Sequence, residues 1–373
     1  MRLESLAVHA GAQPDAATGA VAPPLHLSTT FQHGPAAESV AGFEYSRGNN
    51  PTQQRLQSAL AQLEGGASAL VFASGMAASD AMLSSLPRDS RILIPRDVYH
   101  GVRTLAAEVL PRLGIHADAV DMTNAQAVSD AMTPATRCIW LETPSNPLLE
   151  ISDIAAIAEI AHRHDAIVVV DNTFATPCLQ QPLALGADVV MHSTTKYFGG
   201  HSDVMGGALI FARDDERSAA IARARMVRGA VMAPFNAWLT LRGLRSMPAR
   251  MAWHCRNARA VAEFLAAHPR VEAVHWPGLP THPNHAIAAR QMRDFGGMLS
   301  VQIRGGREGA LAVAGKVKLF INATSLGGCE SLIEHRASVE GAQPVSPQNL
   351  LRLSVGIEHP DDLVEDLRQA LGD

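Results

Sequence analysis

The sequence predicts an α/β fold in which a mostly parallel sheet lies between helices and a smaller C-terminal α/β unit follows. Three observations carry this. Between about residues 136 and 211 short apolar runs alternate with helical patterns; the runs are apolar throughout, as strands covered on both faces require; and past about Val231 the texture shifts to one long helical stretch with later, separated strands.

Taken in order, residues 1–50 are rich in Pro, Gly, Ser and Thr with little periodicity, and read as an extended arm. Leu56, Ala59, Leu60 and Leu63 fall at helical spacing over Thr52 to Leu63, and Gly65-Gly66 ends that helix. Ala69 to Ala73 reads as a buried strand that runs into Ser74-Gly75-Met76 and a second helix through Leu83. Cys138 to Leu141, Ile167 to Val170 and Asp188 to Met191 are strands, separated by a helix over Ile154 to His162 and a shorter one around Leu179 to Leu185. A helical stretch from about Asn236 to Leu265, interrupted near Pro248, precedes strands Val271 to Trp276, Gly297 to Ile303 and Leu351 to Val355 and a terminal helix Leu363 to Leu371. The expected domains are the arm (1–50), a ligand-binding domain (51–230) and a C-terminal domain (231–373).

Composition excludes several classes of function. With 47% apolar residues in 373, the chain can bury a sizeable core, and disorder or a fibrous habit is ruled out. A net charge of -5 with no basic run and 5% aromatics lacks the footprint of a nucleic-acid binder. Met1 to Gly11 shows no leader pattern and no apolar run is long enough for a membrane span, so a soluble, cytoplasmic chain is expected. Cys138, Cys178, Cys255 and Cys329 form no close pair, which suits a reducing compartment. The histidines, including His162/His164 and His282/His285, lack metal-ligand spacing, and no metal is expected. Only three lysines occur, Lys196, Lys316 and Lys318, so chemistry that needs an internal amine has three candidates.

In open sheets of this kind ligands bind beyond the carboxyl ends of the strands. Those ends carry Glu142 with Asn146, Asp171 with Thr173, and Ser193, Thr195 and Lys196. The turn Ala73-Ser74-Gly75-Met76 offers helix N-terminal N–H groups and a glycine, which suit a phosphate, though a plain strand-to-helix turn has the same form. Ser193, Thr195 and Lys196 combine two hydroxyls with an amine, able to hold phosphate oxygens and a carbonyl adduct; a surface lysine on a loop is the bland alternative. Asp171 ends the most apolar strand and needs a cationic or hydrogen-bonded partner, unless it simply caps a helix. A protonated pyridine nitrogen is one such partner.

Seven strings then appear in order: Glu44-Tyr45-Ser46-Arg47 with Asn50-Pro51-Thr52, Ala73-Ser74-Gly75-Met76-Ala77, Glu142-Thr143-Pro144-Ser145-Asn146-Pro147, Asp171-Asn172-Thr173-Phe174, His192-Ser193 with Thr195-Lys196-Tyr197, Ser325-Leu326-Gly327-Gly328 and Arg352-Leu353-Ser354-Val355-Gly356. Together they resemble the Cys/Met-metabolism pyridoxal-phosphate enzymes, which include cystathionine γ-synthase, γ-lyase and β-lyase. The resemblance implies the fold-type I transferase architecture and pyridoxal 5'-phosphate as cofactor. It makes Lys196 the Schiff-base lysine and Asp171 the ring-nitrogen partner, and places Gly75, Met76, Ser193 and Thr195 at the phosphate and Thr173 beside the cofactor. Tyr99 matches the residue that stacks on the ring and assists proton transfer; Asn146, Ser325 and Arg352 match the groups at the ring hydroxyl and the substrate α-carboxylate. Tyr45 and Arg47 would reach the phosphate of a neighbouring subunit, implying a homo-oligomer of at least two chains, usually four. The chemistry implied is elimination or replacement at the γ or β carbon of cystathionine or an O-acyl-homoserine.

Several positions depart from the family pattern. Glu44 matches an acidic position used for the distal ammonium of cystathionine, but Thr324 stands where γ-synthases and γ-lyases often carry glutamate. His100-Gly101 replaces a glycine pair, Gly101 lies where methionine γ-lyases usually have cysteine, and Arg103 sits one place before a frequent arginine. The segment His335 to Glu340 also differs from the common form. These changes bear on the substrate rather than the cofactor. A noncatalytic cofactor-binding relative is the reading from another class, and Lys196, Asp171, Tyr99 and Arg352 all speak against it.

Overall fold

The computed structural model describes residues 1–341 and 344–372. Twelve strands are found among the described residues: β1 Ser68–Phe72, β2 Arg91–Pro95, β3 His116–Val120, β4 Thr136–Glu142, β5 Ile167–Asp171, β6 Val189–His192, β7 Gly207–Phe211, β8 Val271–His275, β9 Met298–Ile303, β10 Ile321–Asn322, β11 Leu332–His335 and β12 Leu350–Ser354. The first seven make one sheet in the order β1-β7-β6-β5-β4-β2-β3, in which β7 alone runs against its neighbours. The other five form a sheet in the order β10-β11-β12-β9-β8, antiparallel except for β10 beside β11.

Burial explains why the central strands are apolar throughout. Cys138, Trp140 and Val169 pack on one face of the large sheet with helix Gly75–Leu83, while Ile139, Leu141, Val168 and Val170 pack on the other with helix Ile154–His162. Both sets are buried, so neither side of these strands tolerates the polar alternation of a solvent-facing sheet.

The expected elements recur with shifted ends, and some differ in kind. Helix Pro51–Glu64 ends at Gly65 in the left-handed conformation (φ 73°), the C-cap that glycine supports best. The helix expected around Leu179 to Leu185 is instead an α-turn over Thr176–Leu179 and a 3-10 turn over Pro182–Leu185, because Pro182 cannot continue the first. The stretch interrupted near Pro248 is two helices, Pro234–Leu244 and Met247–Ala267, with the proline in the first turn of the second. Within residues 1–50 lies an unexpected helix, Leu3–His9, whose Leu3, Leu6 and Ala7, with the following Ala10, pack into the core around Leu56 and Leu60. No helix among the described residues is long and apolar enough to cross a membrane.

Candidate active site

Parallel register sets the floor of the site. Glu142 pairs with Asp171 across β4 and β5, and Asp171 with Met191 across β5 and β6, so the three strands end side by side. Just beyond them a cavity of about 260 Å³ is lined by Gly75, Met76, Tyr99, Glu142, Asn146, Asp171, Thr173, Ser193, Thr195, Lys196, Ser325 and Arg352, with Thr324 and Arg336 also in its wall.

Each side chain is held in a definite way. Ser74 caps helix Gly75–Leu83, its Oγ accepting from the Ala77 N–H at 3.1 Å. That leaves the N–H groups of Gly75 and Met76, at the very start of the helix, without an intrahelical acceptor. Asp171 Oδ1 accepts from the Thr173 N–H at 3.0 Å, and Thr173 Oγ1 accepts from the Ser193 N–H at 2.9 Å, so the ends of β5 and β6 are stitched together. The Thr195 hydroxyl is engaged with both the carbonyl and the N–H of Gly206. Lys196 Nζ donates to Ser325 Oγ at 2.8 Å. Arg352 donates from Nη1 to Asn146 Oδ1 at 3.1 Å and from Nη2 to the Ser325 carbonyl at 3.0 Å. Glu142 Oε2 accepts from the Tyr99 N–H at 2.9 Å, which anchors the chain where Tyr99 overhangs the cavity.

Burial dominates the electrostatics. It lowers the Lys196 amine to about 8, with the Arg352 charge pushing the same way. Arg352 is lowered to about 10, mainly by burial and against the pull of Glu334. Burial raises Asp171, offset in part by Thr173, and raises Glu142 well above the ordinary carboxylate range, with the Asp171 carboxylate adding to the effect. Two neighbouring buried carboxylates on a cavity floor favour a ligand that itself brings a positive charge to them.

These residues fit pyridoxal phosphate. A Cβ at Gly75 would stand 3.0 Å from Ser193 Cβ and 3.1 Å from its Oγ, so glycine keeps open the space where an anion meets the helix N-terminus. Asp171, 9% exposed, meets the cavity at the next strand end, where a protonated ring nitrogen would relieve its burial. Lys196 completes the set.

Three expected residues stand apart. Glu44, Tyr45 and Arg47 do not line the cavity of their own chain; Tyr45 is 49% exposed, with the Arg47 guanidinium 5.6 Å from its ring centroid and Arg47 Nη1 donating to the Met226 carbonyl. Three buried charges at the site have no task in the reading of the sequence. Glu142 is recognisable as a strand-end carboxylate, Arg336 falls in the departing segment His335 to Glu340 and opens the short helix after β11, and Glu334 on β11 is marked by no motif.

The Cys/Met metabolism PLP-dependent enzyme family matches residues 4–372. A cystathionine gamma-synthase of Mycobacterium tuberculosis is 53% identical over 98% of this chain and 96% of its own. A cystathionine beta-lyase of Coxiella burnetii is 42% identical over 99% of this chain and 97% of its own. Among solved structures, metB from Corynebacterium glutamicum superposes with a TM-score of 0.97 at 42% identity, covering 100% of this chain and 98% of that one.

Proposed function

This chain belongs to the Cys/Met-metabolism PLP-dependent enzymes, and from that premise we propose that it replaces the γ-substituent of an O-acyl-homoserine with cysteine, forming cystathionine. The observation that carries the choice of reaction is the 53% identity to a cystathionine gamma-synthase over nearly the full length of both chains, against 42% to a beta-lyase.

When bound, pyridoxal phosphate supplies an electron sink for charge developing next to the substrate's amino-bearing carbon. The chain's own groups do the remainder. The N–H groups of Gly75 and Met76, with the hydroxyls of Ser193 and Thr195, would hold the phosphate, and Thr173, bonded to Asp171, would keep that carboxylate available to the ring nitrogen. Lys196 would anchor the cofactor through its amine, and the same amine is placed to carry protons. Replacement at the γ carbon requires a proton to leave Cα and another to leave Cβ, so this amine acts twice. Its lowered pKa, about 8, leaves a useful neutral fraction near pH 7. Arg352 and Asn146 receive the α-carboxylate, for which a guanidinium fork is well shaped. Tyr99, in the cavity wall, would cover the ring and assist proton transfer.

We assign Tyr45 and Arg47 to the phosphate of a neighbouring subunit and Glu44 to the distal ammonium; their exposure and their distance from their own cavity support this. Residues 1–50 then form an inter-subunit arm, 51–230 the cofactor domain and 231–373 the C-terminal domain of a cytoplasmic homotetramer. A β-lyase acting on cystathionine is the second reading, favoured by Thr324, which lines the cavity without the acidic group of γ-synthases and γ-lyases.

Product analysis tests the assignment. O-acyl-homoserine plus cysteine is expected to give cystathionine, and Lys196→Ala none. Release of homocysteine plus pyruvate, or of cysteine plus 2-oxobutyrate, from supplied cystathionine without any synthesis overturns it in favour of a β- or γ-lyase.

A further inference from the structure

A buried cluster of charges at the cavity is not used by the mechanism above. Glu334 on β11 lies directly across from Arg352 on β12, and Glu334 Oε2 sits 2.9 Å from Arg352 Nη2. Arg336, the first residue of the short helix Arg336–Val339 that follows β11, donates from Nη1 to the same Oε2 at 2.5 Å. Its Nη2 stands 3.7 Å from Glu340 Oε1. Glu340 is held in turn by the N–H groups of Val345 and Ser346 and by the Ser346 hydroxyl. Arg336 is 5% exposed and lines the cavity, yet among the described residues its Nε and Glu334 Oε1 have no hydrogen-bond partner.

The charges show what this arrangement does. One carboxylate oxygen serves two guanidinium groups. If Glu334 faced Arg352 alone, that pair would be neutral and desolvated, and an incoming carboxylate would meet both a competitor and a like charge. Arg336 stands 2.5 Å from Glu334 but 3.7 Å from Glu340, whose carboxylate is met separately by the Val345 and Ser346 N–H groups; Arg336 therefore offsets Glu334 in the first place, and Arg352 keeps positive potential for a third party.

We propose that Arg336 is a positioning residue for substrate binding: by retaining Glu334 as its own counterion, it keeps the Arg352 fork available to the α-carboxylate of the amino-acid substrate. The inference rests on the reading of Arg352 as the carboxylate site, and it holds for any ligand that brings a carboxylate there, whatever its side chain.

The test uses holoenzyme and two probes that cannot eliminate. Glycine is titrated by the change in cofactor absorbance, and propionate, a carboxylate without an amine, is measured as a competitive inhibitor. Arg336→Met should weaken both by about tenfold or more, the loss of one charge-assisted contribution. Arg336→Lys should fall between Met and wild type. Glu334→Gln, which removes the competing charge, should leave both probes as tight as before or tighter, and in turnover Arg336→Met should raise KM by more than it lowers kcat. Unchanged affinity in Arg336→Met overturns the proposal, as does equal weakening in Arg336→Met and Glu334→Gln, the signature of a cluster that only holds the fold. If Arg336→Met loses the cofactor band, Arg336→Lys and Glu334→Gln decide: weaker propionate binding in Glu334→Gln overturns it, and unchanged or tighter binding there with weaker binding in Arg336→Lys supports it. Failure to make cystathionine with these binding effects intact removes the reaction assignment alone.

Discussion

The lysine can be interrogated through pH. Burial and the Arg352 charge bring Lys196 from an ordinary 10.5 to about 8. Only the neutral amine attacks the aldehyde of the cofactor, and at pH 7 roughly one Lys196 in ten is neutral, against roughly one in three thousand for an ordinary lysine. The rate at which apoenzyme takes up pyridoxal phosphate, followed by growth of visible absorbance, should therefore climb with pH and level off with a midpoint near 8. Replacing Arg352 with Gln removes the cation that assists burial, so the midpoint should move up by about one pH unit. Stability carries the same signature. The folded apoenzyme sheds this proton above about 8 whereas the unfolded chain keeps it to about 10.5, so the unfolded state binds more protons across that window. Apoenzyme stability attributable to Lys196 should then rise with pH between those values, by up to about 3 kcal/mol. An uptake midpoint above pH 9.5, or a downward shift in Arg352→Gln, would refute the reasoning.

Two glycines test the geometry from other sides. Gly75→Ala places a Cβ 3.0 Å from Ser193 Cβ and 3.3 Å from Met191 Cε, so Ser193 must yield where the phosphate is to be held. Cofactor affinity measured by equilibrium dialysis should fall about tenfold, and unchanged affinity counts against the cradle. Gly327→Ala combines a left-handed backbone (φ 76°) with a Cβ 2.8 Å from the Tyr197 nitrogen, in the loop that carries Ser325. A loss of about 1–3 kcal/mol, seen as a lower Tm, is expected; an unchanged Tm would mean that the loop relaxes freely.

Legibility in the sequence follows physical circumstance. Strands β4, β5 and β6 announce themselves because both faces are covered, so each is a continuous apolar run. Strand β3, His116–Val120, is an edge strand with half-exposed positions and no such run, and β2 beside it ends in Pro95; neither is recognisable from composition. Strand β7 is apolar, but nothing local says that it inserts between β1 and β6 in the opposite direction. The residues that line the cavity at the ends of β4, β5 and β6 are readable because parallel strands bring their carboxyl ends together regardless of loop detail. The Glu334-Arg352 pair is not, because it depends on the register of an antiparallel sheet, and a shift of one residue would turn Glu334 to the other face.

Ser325 is where these two kinds of information meet. Its φ of 89° lies in the left-handed region that glycine would occupy at little cost, and a serine there carries strain on the order of 1 kcal/mol. Glycine would relieve the backbone but lose a contact that only a side chain can make: Ser325 Oγ accepts from Lys196 Nζ while its carbonyl accepts from Arg352 Nη2. One residue therefore ties the amine beyond the parallel sheet to the guanidinium of the antiparallel sheet. Backbone strain of this kind persists where the surrounding contacts over-determine it, and here those contacts are the Lys196 amine on the hydroxyl and the Arg352 guanidinium on the carbonyl.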